Sequence, residues 1–131
     1  MTKEELKKYT TLKTELKLIK QQIEKLQHDK YNFKAVSYSD MPKGNNSNYD
    51  KIGEAIVKLE SKIEEYCIKY EQSLEELDKI EKVINSLNGM ERLIMRYRYI
   101  DNMKWEKICI LTQYSWRQVH NIHSRILKKI L

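Results

Sequence analysis

The chain is poor in residues that break helices or cross-link loops. Its 131 residues include one proline, Pro42, and three glycines. Few breakers, with abundant Lys, Glu, Leu and Ile, favour long helices over sheet. Cysteine is nearly absent: Cys67 and Cys109 both lie in apolar helical patterns. They read as reduced, buried small hydrophobes rather than halves of a disulfide. No apolar run is long enough to span a bilayer. The start, MTKEELKK, lacks the apolar core of a secretion signal. These absences lead to the expectation of a cytoplasmic protein away from membranes. Catalytic constellations are missing too. There is no glycine-rich phosphate loop and no Ser-His-Asp or Cys-His set. Glu64-Glu65 and Glu75-Glu76 read as solvated helix charges. Of His28, His120 and His123, the last two are three apart on a helix, but no Cys or carboxylate in the same turns completes a metal site. The expectation is a protein that is not an enzyme and holds neither metal nor cofactor.

What is present is helical periodicity. Residues 2–28 read as a helix, with Thr2 and Glu5 spaced as a capping box. Tyr9, Leu12, Leu16, Ile19, Ile23 and Leu26 alternate steps of three and four, which is a heptad seam. Residues 29–49 break that pattern and read as a long connector, holding Pro42 and the run Lys43-Gly44-Asn45-Asn46-Ser47-Asn48. Phe33, Val36, Tyr38 and Met41 could tack it onto the helices. The seam resumes over 50–87 as Ile52, Ile56, Leu59, Ile63, Tyr66, Tyr70, Ser73, Leu77, Ile80, Ile84 and Leu87. A sustained heptad needs a partner helix, and the first helix returning across the connector is the simplest one. The second helix is the longer, so part of its seam is left for another chain or for the C-terminal region. That predicts a homodimer. The expected fold is all-α: a helical hairpin over 1–88, then a compact helical unit over 89–131.

Asn88-Gly89 reads as a helix stop. A new helix follows over 90–100, with Leu93, Ile94, Tyr97 and Ile100 as its inner face, and Asp101-Asn102 turns the chain. Trp105, Ile108, Leu111, Tyr114, Val119, Ile122, Ile126 and Leu127 are the expected core of the last unit. Its charge differs from the rest. Residues 89–131 carry nine basic and three acidic side chains, while 1–88 carry sixteen of each. The whole excess of +6 therefore lies in the last third. All five arginines lie at or after Arg92, and planar guanidinium groups suit phosphate and guanine better than ammonium groups do. A basic unit attached to a neutral one points to nucleic acid.

Within that unit, residues 105–124, WEKICILTQYSWRQVHNIHS, read as a helix-turn-helix. The first helix carries Trp105, Ile108, Cys109 and Thr112, and Gln113–Tyr114 make the turn. The turn position commonly needs a residue that tolerates positive φ, such as Gly or Asn. Ser115 sits where an N-cap belongs. The second helix packs through Val119, Ile122, Ile126 and Ile130. Trp116, Arg117, Gln118, His120, Asn121, Ser124 and Lys128 are left on or near its opposite face. Arg, Gln and Asn make bidentate contacts to base edges in the major groove. Arg117, Gln118, His120 and Asn121 fall in the first two turns, where side chains reach bases. Lys104, Arg125, Lys128 and Lys129 read as phosphate contacts. Plain packing is the expectation for His123.

The segment ERLIMRYRYIDNMKWEKICILTQYSWRQVHNIHSRILKKIL resembles region 4 of sigma-70-type factors. Trp105-Glu106-Lys107-Ile108-Cys109 is similar to their aromatic-acidic-Ile-Ala pattern, and Ser115, Val119 and Arg125 fall at matching places. More closely, the chain looks like the ArpU-type and RinA-type late-gene regulators of phages and prophages. That likeness rests on Val83-Ile84-Asn85-Ser86-Leu87, Arg96-Tyr97-Arg98-Tyr99-Ile100, Trp105, and Tyr114-Ser115-Trp116-Arg117-Gln118-Val119. Met41-Pro42-Lys43-Gly44 is similar too. The resemblance implies sequence-specific binding of double-stranded DNA and control of phage transcription. It brings no sigma region 2, so promoter melting by this chain alone is not implied. Two other functions fit the same pattern: a small terminase-like packaging subunit, and a sigma-like module that binds RNA polymerase.

Overall fold

A computed structural model describes the backbone at 1–39 and 46–131, and the side chains at 1–35 and 50–131. Among the described residues, five α-helices and one π-turn follow in order: α1 (Lys3–Ser39), α2 (Asn46–Asn85), α3 (Gly89–Met95), a π-helix (Arg96–Ile100), α4 (Trp105–Thr112) and α5 (Trp116–Ile130). There is no strand among the described residues. No helix among them is long and apolar enough to cross a membrane. α1 and α2 form a hairpin-like pair, and both contribute to two compact units, Met1–Thr14 with Leu74–Leu131, and Glu15–Ser73.

Helix α1 runs further than its apolar periodicity. It was expected to end at His28, but 29–39 continue the helix to Ser39. This corrects the start of the connector. The segment Asp29–Ala35 has lost its apolar seam, yet contains neither Gly nor Pro, so nothing in it stops the backbone hydrogen bonding. Helix α2 likewise begins earlier than expected, at Asn46. Phe33 is exposed. The side chains of Val36 and Tyr38, and the residues Met41-Pro42-Lys43-Gly44, lie outside the described residues.

In the first unit, the start of α1 is fixed by the expected box. The Thr2 N–H donates to Glu5 Oε2 at 3.1 Å, and the Glu5 N–H donates to Thr2 Oγ1 at 3.2 Å. Leu6, Tyr9 and Leu12 of α1 are buried with Leu77, Ile80 and Ile84 of α2. The Tyr9 hydroxyl donates to Glu81 Oε1 at 2.6 Å. Burial, then the Glu81 carboxylate, push that phenol up to about 12. Gly89 takes φ +33 and opens α3, a conformation that favours glycine.

The segment after Gly89 departs from simple periodicity. Leu93 is exposed, whereas Ile94, Met95 and Tyr99 are buried. The π-turn that follows at Arg96–Ile100 accounts for Tyr99, though not for Leu93, which precedes it. The Asp101 N–H donates to the Arg96 carbonyl at 2.9 Å, a five-residue step, and the wider turn rotates the following side chains off the α-helical face. Tyr99 therefore points inward, where Ile100 was expected. The core of this segment is Ile94, Ile108 and Val119, covered by Tyr97, Met103, Trp105, Cys109, Tyr114 and Ile122. Ile126 is fully buried, but Leu111, expected in the core, is exposed. It follows Ile110 on the outward side of a two-turn helix whose inner face is filled by Ile108 and Thr112.

The second unit is a pair of helical segments without further layers. Leu16 and Leu26 are buried, but Ile19, Ile23, Ile52, Ile56, Leu59, Ile63, Tyr66 and Tyr70 remain part-exposed. Lys30 Nζ and Glu60 Oε1 bridge the two helices at 2.9 Å. Hydrogen bonding to Lys30 lowers the Glu60 pKa. Cys67 is exposed on α2, contrary to its expected burial, while Cys109 is part-buried, and both are free. A two-helix seam has room for one row of side chains, and Cys67 follows the seam residue Tyr66 on the outer side.

Candidate nucleic-acid interface

The turn between α4 and α5 sets the candidate interface. Gln113 ends α4 in the left-handed conformation, φ 61 and ψ 22. The sharp reversal that was expected of Gly or Asn is made here by Gln. Ser115 then caps α5 through a reciprocal box. The Gln118 N–H donates to Ser115 Oγ at 3.2 Å, and the Ser115 N–H donates to Gln118 Oε1 at 2.9 Å. This fixes the first turn of α5, the part that would enter a groove. It also engages the Gln118 carboxamide oxygen, which leaves less of that side chain for base contacts.

Helix α5 is strongly two-faced and contains no acid. Val119, His123 and Ile126 are buried. Arg117, Asn121, Ser124 and Lys128 are exposed together on the outside, as is Trp116. Lys104 is exposed as the N-cap of α4. Arg125 is exposed but engaged: its Nη2 lies 3.5 Å from Glu91 Oε1. Lys129 Nζ lies 3.7 Å from Glu91 Oε2. The two cations are exposed, whereas Glu91 is largely covered and its Oε2 is buried, so either cation can turn to another anion while the other stays beside Glu91.

His120 does not stand on the outer face. Its ring packs between two indoles, 4.6 Å from Trp105 and 4.4 Å from Trp116 by centroids. Its Nε2 is buried and makes no hydrogen bond. Beyond it, the Arg98 guanidinium lies 4.6 Å over the Trp105 ring, and Trp105 meets His123 edge-on at 4.8 Å. The column Arg98–Trp105–His120–Trp116 holds the start of α4 to the start of α5. His123 packs inside, as its apolar neighbours suggested. Its Nε2 and the Tyr99 hydroxyl share a buried hydrogen bond of 2.7 Å. Burial, followed by the charge of Lys3, lowers His123 to about 4, and burial raises Tyr99 to about 12. Both are neutral near pH 7.

Arg98, Tyr99 and Glu91 carry roles that residue spacing did not single out. Glu91 is the sole acid between Gly89 and Ile100, which was the available signal for a pairing role. Arg98 and Tyr99 had none, because the π-turn that orients them leaves no mark in an apolar pattern. Among the described residues, no group of three or more His, Cys, Asp or Glu is placed to hold a metal ion. No family model matches the chain, and no curated protein or solved structure matches it.

Proposed function

We propose that this is a sequence-specific DNA-binding transcription regulator, a binding protein rather than an enzyme, that reads the major groove with α5. One observation carries the reading: Arg117, Asn121, Ser124 and Lys128 share the exposed, acid-free face of a helix whose first turn is locked by Ser115. Arg117 and Asn121 are the base-reading pair. Lys104 and Lys128 contact phosphates, and Arg125 joins them on release from Glu91. Trp116 lies over the turn against His120, positioned to meet sugar or backbone. The resemblance to sigma-70 region 4 and to ArpU-type and RinA-type regulators supports the same reading and adds phage late genes as the target. The part-exposed seam of Glu15–Ser73 supports a homodimer, in which a second copy covers Ile56, Ile63 and Tyr66. Ile63→Asp should then dissociate it, by placing an unpaired charge in the interface; sedimentation of the unaltered chain as a monomer at tens of micromolar would sink the dimer.

Binding to cognate and scrambled duplexes at several salt concentrations tests the DNA reading. Arg117→Ala or Asn121→Ala should cost about 1–3 kcal/mol on the cognate duplex and much less on the scrambled one. Lys128→Ala should weaken both equally and reduce the salt slope by about one. Equal losses on both duplexes for Arg117→Ala and Lys128→Ala would overturn base reading. A second reading has its own observation. Ile110 is 75% and Leu111 48% exposed on the outer side of α4, which suits a protein partner such as RNA polymerase. Retained polymerase binding without DNA binding would select it.

A further inference from the structure

A second cationic site lies outside the α5 face. A pocket of about 250 Å³ is lined by Lys3, Lys7, Thr10, Arg98, Tyr99 and Asn102. Lys3, Lys7 and Thr10 follow one another at steps of four and three, so they share one face of α1. Residues 1–88 are neutral in sum, and nothing in the sequence joins their lysines to the basic last third. The fold does so locally, because the start of α1 belongs to the same compact unit as Arg98. Lys3 is close enough for its charge to act on His123.

Two features make this more than a chance cluster of lysines. Arg98 is held in place before any ligand arrives. Its Nη1 donates to the Met103 carbonyl at 2.9 Å, and its guanidinium stacks on Trp105. A guanidinium fixed on one side retains further N–H donors for an oxyanion. In addition, Arg98 and Tyr99 enter the pocket from the π-turn Arg96–Ile100, and Asn102 from a left-handed residue at φ 53. Such local departures concentrate where side chains must be aimed. Two acids flank the lining residues in sequence, Glu4 beside Lys3 and Asp101 beside Asn102; both are exposed, and Glu4 reaches Lys7 only loosely, at 3.9 Å.

We propose that Lys3, Lys7, Arg98 and Asn102 form a phosphate-binding site, filled by a backbone phosphate of bound DNA or by a free phosphate group. Lys3 and Lys7 supply mobile charge, Arg98 a directed pair of donors, and Asn102 a neutral amide donor. The backbone-phosphate source rests on the DNA reading above; the free-phosphate source does not.

The double variant Lys3→Gln/Lys7→Gln, in the full chain, separates these cases. Lys13→Gln/Lys17→Gln, with the same charge change elsewhere on α1, is its control. In the first arm, affinity for a generic duplex is measured against salt. If backbone phosphate fills the site, the pocket variant lowers the slope of log K by about one relative to the control, the value for one phosphate contact. In the second arm, inorganic phosphate is titrated against chloride at equal ionic strength, reading the Asn102 side-chain amide and Arg98 Nε by NMR. Saturable shifts in the unaltered chain that vanish in the pocket variant, with an unchanged DNA slope, assign the site to free phosphate. Neither effect overturns the site. If the unaltered chain binds no duplex while the phosphate shifts persist, the DNA reading falls and the pocket stands.

Discussion

The two compact units obey opposite halves of the folding rules. The described residues of Glu15–Ser73 are long helices, with a heptad seam from Leu16 to Leu26 and from Ile52 to Tyr70 and most charges on the outer faces. Yet only Leu16 and Leu26 of that seam are buried. The other unit breaks local rules repeatedly. It holds a π-turn and the two non-glycine residues of positive φ found among the described residues, Asn102 and Gln113. Its core nevertheless contains Leu6, Ile84, Ile94, Met95, Ile108, Val119 and Ile126, each essentially inaccessible. The difference is the number of layers. Two helices alone enclose one row of side chains, whereas several short helices crossing one another enclose a volume. Burial at roughly 25 cal/mol per Å² then offsets local strain of about 1–3 kcal/mol per site.

The largest effect that could break this comparison is a matched pair of truncations. Ile94→Ala and Ile108→Ala remove fully buried side chains and should each cost about 2–5 kcal/mol in denaturant unfolding. Ile56→Ala and Ile63→Ala remove part-exposed ones, and in the monomer should each cost about 1 kcal/mol or less. Equal losses at low protein concentration would erase the contrast. A loss at Ile63 that grows with protein concentration would sharpen it, by showing that a second copy supplies the missing layer.

How much of this was legible in the sequence follows the same division. Wherever apolar spacing was regular, it gave the helices: the seam from Tyr9 to Leu26, the seam from Ile52 to Ile84, and the Val119–Ile126 face all lie in the elements expected, while Leu87 falls just past the end of α2 at Asn85. It failed where another factor set the structure. Residues 29–39 lack apolar period but contain neither Gly nor Pro to stop the backbone hydrogen bonding, so α1 continues. Leu111 is apolar but faces outward, because a two-turn helix leaves it no inner surface, and the π-turn brings Tyr99 inward in place of Ile100. For the candidate interface, Ser115 and the outward Arg117 and Asn121 were readable from capping and spacing. The Trp–His–Trp column, the Glu91 pairs and the Lys3–Arg98 pocket were not. They depend on which residues distant in sequence come together.

A second, smaller effect separates the units by pH. The buried His123 titrates near 4, against an ordinary 6.5. The unfolded chain therefore binds more protons than the folded one between those values. Stability from this group is fully present above about pH 6.5 and is lost as pH falls through that window. Between pH 7 and 5 the loss is on the order of 2 kcal/mol. His123→Phe should flatten the pH dependence of unfolding free energy from 7 to 5, whatever it does to stability at pH 7. An unchanged slope in that variant would place the proton uptake elsewhere.

The smallest effect tests the claim that a deep core carries local strain. Gln113 is exposed and left-handed, so its side chain can be altered with little loss of packing. A non-glycine residue in that conformation costs roughly 1–2 kcal/mol. Glycine removes that cost but loses more chain entropy on folding, by roughly 0.5–1 kcal/mol. Gln113→Gly should therefore stabilise by about 0.5–1 kcal/mol, and at most by about 1.5 kcal/mol. Gln113→Val should destabilise by more than that, because a β-branched side chain is poorly tolerated at positive φ. The two variants move in opposite directions only if the turn is left-handed in solution. Thermal unfolding of both reads the sign directly. If valine and glycine behave alike, the α4–α5 turn has relaxed away from φ 61, and the strain assigned to this unit is not there.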